Sequence, residues 1–264
     1  KVFIADTSAG FEAIVTSANV HDASSAHHNV AVRFSGPAVA DLFQSELAVL
    51  RFSRENLPKT QVENPVETGR VTAQVVTEKQ IERVAIKTLR ALDEGDRMDL
   101  AYFFLSDQGI VRELKKARVR GATLRILLDP NKDAFGYTKM GIPNRQVARD
   151  LNRAGLALRW FNTHGEQGHS KMMHAHFEDG RSLLLLGSCN LTRRNLDNFN
   201  LETNVALRGP ADAPVFRDAS AYFERSWANR PGETISAPYE KYAELGYAKR
   251  IFSQLLEILG IGTF

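Results

Sequence analysis

The chain has 264 residues, enough for one large or two modest domains with a buried core. Its 43% hydrophobic and 25% charged residues fit an ordinary globular protein, and no apolar run approaches the roughly 18 residues of a membrane span. A net charge of +3 makes no electrostatic case for nucleic acid, and one cysteine, Cys189, excludes an intramolecular disulfide framework.

Taken in chain order, residues 1–55 read as two strands, a small polar loop (Thr16-Ser17-Ala18-Asn19), a strand and a helix over Val39–Arg54. His27 and His28 precede the third strand and read as solvated loop residues. Residues 56–72, with Pro58, Pro65 and Gly69, lack periodicity and read as a linker. Thr77 and Gln80 have capping-box spacing ahead of the helical stripe Ile81, Val84, Ala85, Thr88, Leu89 and Leu92. Met98–Leu105 and Thr123–Leu128 are expected strands, with a helix over Gln108–Val119 between them. A helix over Pro143–Arg153 and a strand over Leu156–Phe161 complete an α/β alternation. Of the loops, Asp129–Gly136 follows a buried strand, where α/β sheets bind ligands. Lys132 or Phe135 is a candidate substrate contact there, and a plain connection explains the loop equally well. His164 and Glu166 are expected near the rim of any site. Beyond Pro231, Tyr247, Ile251, Phe252, Leu255, Leu256 and Leu259 share one helical face; docking on the protein's own core is favoured over a membrane surface.

The stretch from His169 to Asn190 organises the chain. His169 and Lys171 are two apart, so an extended strand sends both side chains to one face. A turn at Glu178–Arg181 and the apolar run Leu183–Leu186 lead to Gly187-Ser188-Cys189-Asn190. Such a hairpin delivers an imidazole, an ammonium, a hydroxyl and a carboxamide to one end of a sheet, a set that suits a phosphate. The chain also repeats at an offset of 170 to 175 residues. Thr16–Asn19 answers Gly187–Asn190, Asn29–Val32 answers Asn204–Leu207, and Gly36-Pro37-Ala38 answers Gly209-Pro210-Ala211.

This pattern resembles the phospholipase D superfamily, whose signature is H-x-K-x4-D followed by G-S and Asn. Lys1 and Asp6 carry the K-x4-D part of a first copy, and its His is expected two residues ahead of Lys1. The resemblance implies an α/β fold of two phospholipase D-like repeats, each a mixed sheet flanked by helices, with the first incomplete. Residues 1–55 would belong to the first repeat, 73–230 to the second and 231–264 to a tail.

It also implies a division of labour. Lys1 and Lys171 neutralise the non-bridging oxygens, Asn19 and Asn190 donate hydrogen bonds, and Ser188 supports them. The first-motif His attacks phosphorus, and His169 acts as general acid and base. Glu202 matches a family glutamate that orients a histidine, and by alignment its first-repeat counterpart is His27. The second motif departs from the pattern: His176 stands where Asp belongs, and Asp179 reads better as a turn residue than as a displaced motif Asp. His169, His174 and His176 invite a metal reading, but no convincing Cys or carboxylate joins them, and the scheme calls for no metal or cofactor.

The expected function is a phospholipase D-like phosphodiesterase or phosphatidyltransferase on phospholipid, with peripheral membrane contact as an open accompaniment. The alternatives are a superfamily nuclease on single-stranded nucleic acid, for which Arg145, Arg149, Arg193 and Arg194 are available, and a non-catalytic phosphate-binding module. With one motif histidine, the residues from Lys1 onward are expected to have little activity alone.

Overall fold

A computed structural model describes residues 1–8, 10–53, 62, 69–134, 137–138 and 141–243. The expected tail helix, Phe135 and most of the expected linker lie outside these residues.

The chain opens with three antiparallel strands, β1 (Val2–Thr7), β2 (Gly10–Thr16) and β3 (Ala31–Phe34), followed by helix α1 (Ala38–Phe52), the segment expected as a first repeat. In the second repeat β4 (Thr72–Thr77), α2 (Lys79–Arg90), β5 (Arg97–Tyr102), α3 (Gln108–Val119) and β6 (Thr123–Leu128) come first. A two-residue ladder, β7 (Asp133–Ala134) with β8 (Tyr137–Thr138), precedes α4 (Asn144–Arg153) and β9 (Ala157–Phe161). Then come β10 (Lys171–His176), β11 (Arg181–Gly187), α5 (Arg193–Leu196), β12 (Thr203–Pro210), α6 (Pro214–Ala228) and β13 (Ser236–Pro238). Eight of these strands form one mixed sheet in the order β13-β9-β6-β5-β10-β11-β12-β4, with β5, β6 and β9 parallel.

Alternation along the strands divides the core in two. Leu100, Ile126, Met173 and Leu185 face α2, α3 and α4, whereas Ala101, Leu127, Met172 and Leu186 face α6 and the first repeat. The central strands are apolar on both sides because both faces are covered. No described helix is long and apolar enough to cross a membrane.

Two local expectations change. The segment Thr72–Thr77, for which no element was expected, is an edge strand, and its β-branched run (TAQVVT) pairs with β12 from Thr77↔Thr203 to Thr72↔Arg208. Thr77 is thereby committed to the sheet and does not cap α2. Glu78 takes the N-cap position at φ 45° with no side-chain cap, and the Lys79 N–H donates to Asn198 Oδ1 at 2.8 Å.

Candidate functional site

Two loops of the same build meet at one end of the large sheet. In the second repeat Met172 pairs with Leu186, and in the first Val2 pairs with Val15, so Lys171 and Lys1 enter their hairpins in the same register. After β11 the Ser188 N–H donates to the Thr203 carbonyl at 3.1 Å, and the Thr203 N–H returns a bond to Ser188 Oγ at 3.1 Å. Ser188 Oγ then donates to Glu202 Oε2 at 2.5 Å. After β2 the Ser17 N–H donates to the Val30 carbonyl at 2.9 Å, the Val30 N–H donates to Ser17 Oγ at 3.0 Å, and Ser17 Oγ donates to Asn29 Oδ1 at 3.2 Å. The two networks match bond for bond, so Asn29 is the counterpart of Glu202.

This corrects the alignment that set His27 against Glu202 and Asn29 against Asn204. Val15 pairs with Val32 where Leu186 pairs with Val205, so β3 stands two residues from the sequence match. A slide of two keeps every side chain on its own face, and the apolar pattern is blind to it. Asn204 instead accepts from the Cys189 N–H at 3.1 Å. At Gly187 an added Cβ would come within 2.4 Å of the Thr203 carbonyl, so the close approach of β12 requires glycine there.

His169 is buried, with Nδ1 3.0 Å from Asn29 Oδ1 and its ring 4.9 Å from Phe103 and 5.8 Å from His27. Burial, and then the charges of Lys171, Lys1 and His27, push its pKa down to about 2, against a weaker pull from a backbone hydrogen bond to Ser17. Lys171 is 1% exposed, donates to the His169 carbonyl at 3.0 Å and lies 5.3 Å from the Phe103 ring centroid. Burial and the Lys1 charge push its pKa far down, and Glu202 opposes them. The Lys1 ammonium is lowered by burial and likewise supported by Glu202. Lys1, Glu46, Glu78, Ser188 and Thr203 line a cavity of about 410 Å³ at the seam. Glu202 is held by Ser188 and by the Asn195 amide.

Buried amides brace the loops between. Asn190 Oδ1 accepts from the Phe104 N–H at 3.2 Å, which ties the second motif to the segment after β5. Asn131 and Asn144 both donate to the Phe103 carbonyl, at 3.2 and 2.7 Å. Asp129, raised to about 6 by burial, accepts from the Gly168 N–H at 2.7 Å and so fixes the residue ahead of His169. The loop after β6 therefore supports the motif through Asp129 and Asn131.

Other expected residues fall elsewhere. Asp6 is exposed, paired with Phe11 near the far end of β1, roughly 16 Å along the strand from Lys1; it does not join the cluster. Asp179 is a turn residue bonded to Arg181 at 2.7 Å. Asn19 is half-buried in the first motif loop, its N–H donating to Ser24 Oγ at 2.9 Å. His27 and His28 are not solvated loop residues. His27 Nδ1 accepts from the Gln167 N–H at 3.1 Å, and the His28 ring stacks on Phe161 at 5.1 Å. His164 and Glu166 lie at the rim, where the His164 N–H donates to Glu166 Oε2 at 2.9 Å. His174 sits away from His169, its ring 3.8 Å from His176 and 5.8 Å from Phe216. Among the described residues no group of three or more His, Cys, Asp or Glu is placed to hold a metal.

Sequence reasoning missed Asn29, Phe103 and Asn144, and it singled out the loop Asp129–Gly136 for Lys132 or Phe135 and not for Asp129. Asn29 carried a signal as a member of the internal repeat, and Asp129 as the first residue of that loop.

The family model described as cardiolipin synthase, PLD-like domain, matches residues 89–227, more than half of the chain. The chain belongs to this family. Its membership of the phospholipase D superfamily, expected from the motifs, therefore holds. No curated protein matches the chain. Among solved structures, the phosphatidylserine synthase of Haemophilus influenzae Rd KW20 is similar at 11% identity, with 96% of this chain and 68% of that one covered and a TM-score of 0.60. The polyphosphate kinase of Porphyromonas gingivalis is similar at 13% identity over 95% of this chain and 36% of its own, with a TM-score of 0.53. Nuc, a phospholipase D family member from Salmonella typhimurium, matches at 17% identity over 64% of this chain and 98% of its own, with a TM-score of 0.47. The first two share the α/β fold, a mixed sheet flanked by helices, with this PLD-like chain.

Proposed function

We propose that the seam is the centre of a phospholipase D-type phosphodiesterase or phosphatidyltransferase that cleaves a phospholipid through a phosphohistidine. The observation that carries this reading is the pair of lysines, half-buried Lys1 and fully buried Lys171, with the Lys1 charge depressing the pKa of Lys171. Two desolvated ammonium groups near one another are stabilised by an anion between them, and a phosphodiester supplies two non-bridging oxygens. Ser188 lines the same cavity as Lys1, and the motif assigns Asn190 and Asn19 to the phosphate as hydrogen-bond donors. His169, buried and neutral, is the general acid and base. The phospholipid class is favoured by the cardiolipin synthase description of the family.

The test is head-group release or transfer by the full-length protein from vesicles of phosphatidylglycerol and phosphatidylethanolamine, with single-stranded DNA assayed in parallel. His169→Ala is expected to lower lipid turnover by about 10²–10⁴-fold, and His174→Ala to leave it within a few-fold. Turnover on DNA alone would replace the lipid with a nucleic acid, and equal losses in both variants would remove His169 from the chemistry.

A further inference from the structure

The half-site around His169 contains an amide where its counterpart contains a carboxylate. Asn29 and Glu202 occupy equivalent places in matched networks, each accepting from a serine hydroxyl. The orientation of the Asn29 amide is set by its other bonds. Nδ2 donates to the Ser24 carbonyl at 2.7 Å and is 3.3 Å from the His27 carbonyl, so Oδ1 is the end that faces His169. Oδ1 already receives the Ser17 hydroxyl and stands 3.0 Å from His169 Nδ1. An amide oxygen only accepts, so Nδ1 must carry the proton of that bond.

We propose that Asn29 is the positioning residue of His169: it fixes the Nδ1–H tautomer, turns the Nε2 lone pair into the seam, and leaves the imidazolium without a carboxylate partner. The consequence for catalysis rests on the function proposed above; the tautomer does not. A histidine backed by a carboxylate holds its proton more tightly. His169 is backed by a neutral amide and is faced by Lys1 from the start of β1, Lys171 from β10 and His27 from the loop before β3, all cationic when protonated. Its imidazolium is therefore a strong acid: once an anionic phosphodiester offsets the facing charges, Nε2 takes a proton from solvent, hands it to the departing alkoxide and, neutral again, takes one from water or an acceptor alcohol.

The experiment is ¹⁵N NMR of the imidazole nitrogens in the full-length protein, with the His169 signals assigned by their loss in His169→Gln. At pH 7 the wild type should show a protonated Nδ1, an unprotonated Nε2 and a titration midpoint below that of a free imidazole. Asn29→Asp should keep the tautomer and raise the midpoint by about one pH unit or more, with the acid limb of the kcat profile moving in the same direction and KM changing less than kcat. Asn29→Leu should give a mixed tautomer. A protonated Nε2 in the wild type would overturn the proposal without any variant having to fold, and so would an unchanged midpoint in a folded Asn29→Asp protein. Tautomer and midpoint as expected, with no turnover on any phosphodiester, would overturn the function and leave this assignment standing.

Discussion

The two hairpins β1–β2 and β10–β11 are alike where they meet and unlike where they part. At the seam each begins with a lysine, returns through a serine loop and is closed by a strand whose first residues bond that serine. At the far end the first hairpin places Asp6 in solvent, while the second places His176 against the fully buried Asp99 of β5 at 3.2 Å. The lesson is that backbone hydrogen bonds around the serine loops preserve the plan, while the side chains set on it have been free to diverge. Charge has followed the divergence: a carboxylate at Glu202 faces an amide at Asn29, and the acid missing after Lys171 is replaced by one from a neighbouring strand.

The largest expected effect tests that replacement. Asp99 takes a two-pronged bond from Arg125 at 2.7 and 2.8 Å, lies 3.2 Å from Arg97, and has its pKa held below the ordinary value by His176, Arg125 and Arg97 against the cost of burial. Asp99→Asn leaves the half-buried Arg97 and Arg125 facing a neutral group on a fully buried side chain, and the expected loss is about 3 kcal/mol in urea unfolding. Asp6→Asn, on the exposed counterpart, should change stability by less than about 0.5 kcal/mol. Similar losses at the two sites would mean that the far ends are equivalent after all. The contribution of Asp99 is present above the ordinary carboxyl pKa and is lost as pH falls through its lower folded value, so acid should narrow the gap between wild type and Asp99→Asn.

A smaller effect is expected where the hairpins agree. Glu202→Gln makes the second half-site chemically like the first and keeps an acceptor for Ser188. It also removes the anion that supports Lys1 and Lys171. Inorganic phosphate should therefore bind more tightly to the variant, by roughly tenfold, as one negative charge leaves the site. Turnover should fall by roughly 10²-fold as the site loses the carboxylate that Ser188 and Asn195 hold beside the lysines. Weaker phosphate binding together with lower turnover would show that Glu202 shapes the pocket and does not balance its charge.

These contrasts also mark what could be read in the sequence. His169, Lys171, Ser188 and Asn190 were legible because their spacing is local, and a local spacing on a hairpin already dictates a common end. The helices over Gln108–Val119 and the strand over Thr123–Leu128 were legible for the same reason, as runs whose period and stop signals lie within one window. Asn29 was misplaced because Asn-Val-Ala-Val and Asn-Val-Ala-Leu match at an offset that the serine bonds do not use. The roles of Asp99 and Asp129 were invisible because each acts on a residue 77 or 39 positions away, a relation that exists only once β10 is laid antiparallel on β5 beside β6. β4 was passed over because its six residues follow a stretch rich in turn formers, and its pairing partner, β12, is more than a hundred residues on.

The smallest expected effect concerns His174, which occupies the register position held by Ile4 in the first hairpin: Ile4 pairs with Ala13 and His174 with Leu184. Its side chain is fully buried and neither ring nitrogen has a hydrogen-bond partner among the described residues. Burial, and then the neighbouring His176, push its pKa down to about 3. The folded protein thus keeps this ring neutral, while the unfolded chain takes up a proton below about pH 6.5. Stability from this residue must therefore fall as pH drops from about 6.5 towards 3, because only the unfolded state gains the proton. His174→Ile restores the residue of the other hairpin and suits a covered strand. It should stabilise the protein by about 1 kcal/mol at pH 7.5, by removing unpaired polar atoms from the core. The gap should widen by up to about 1.4 kcal/mol for each pH unit below 6.5. Thermal or urea unfolding at pH 7.5 and 5.5 separates the two contributions. A gap that stays constant would mean that His174 is protonated in the folded state as readily as in the unfolded one. A variant less stable at both pH values would mean that the ring nitrogens are satisfied inside the fold, and the second hairpin would then owe its departure from the first to a bond rather than to tolerance of a buried imidazole.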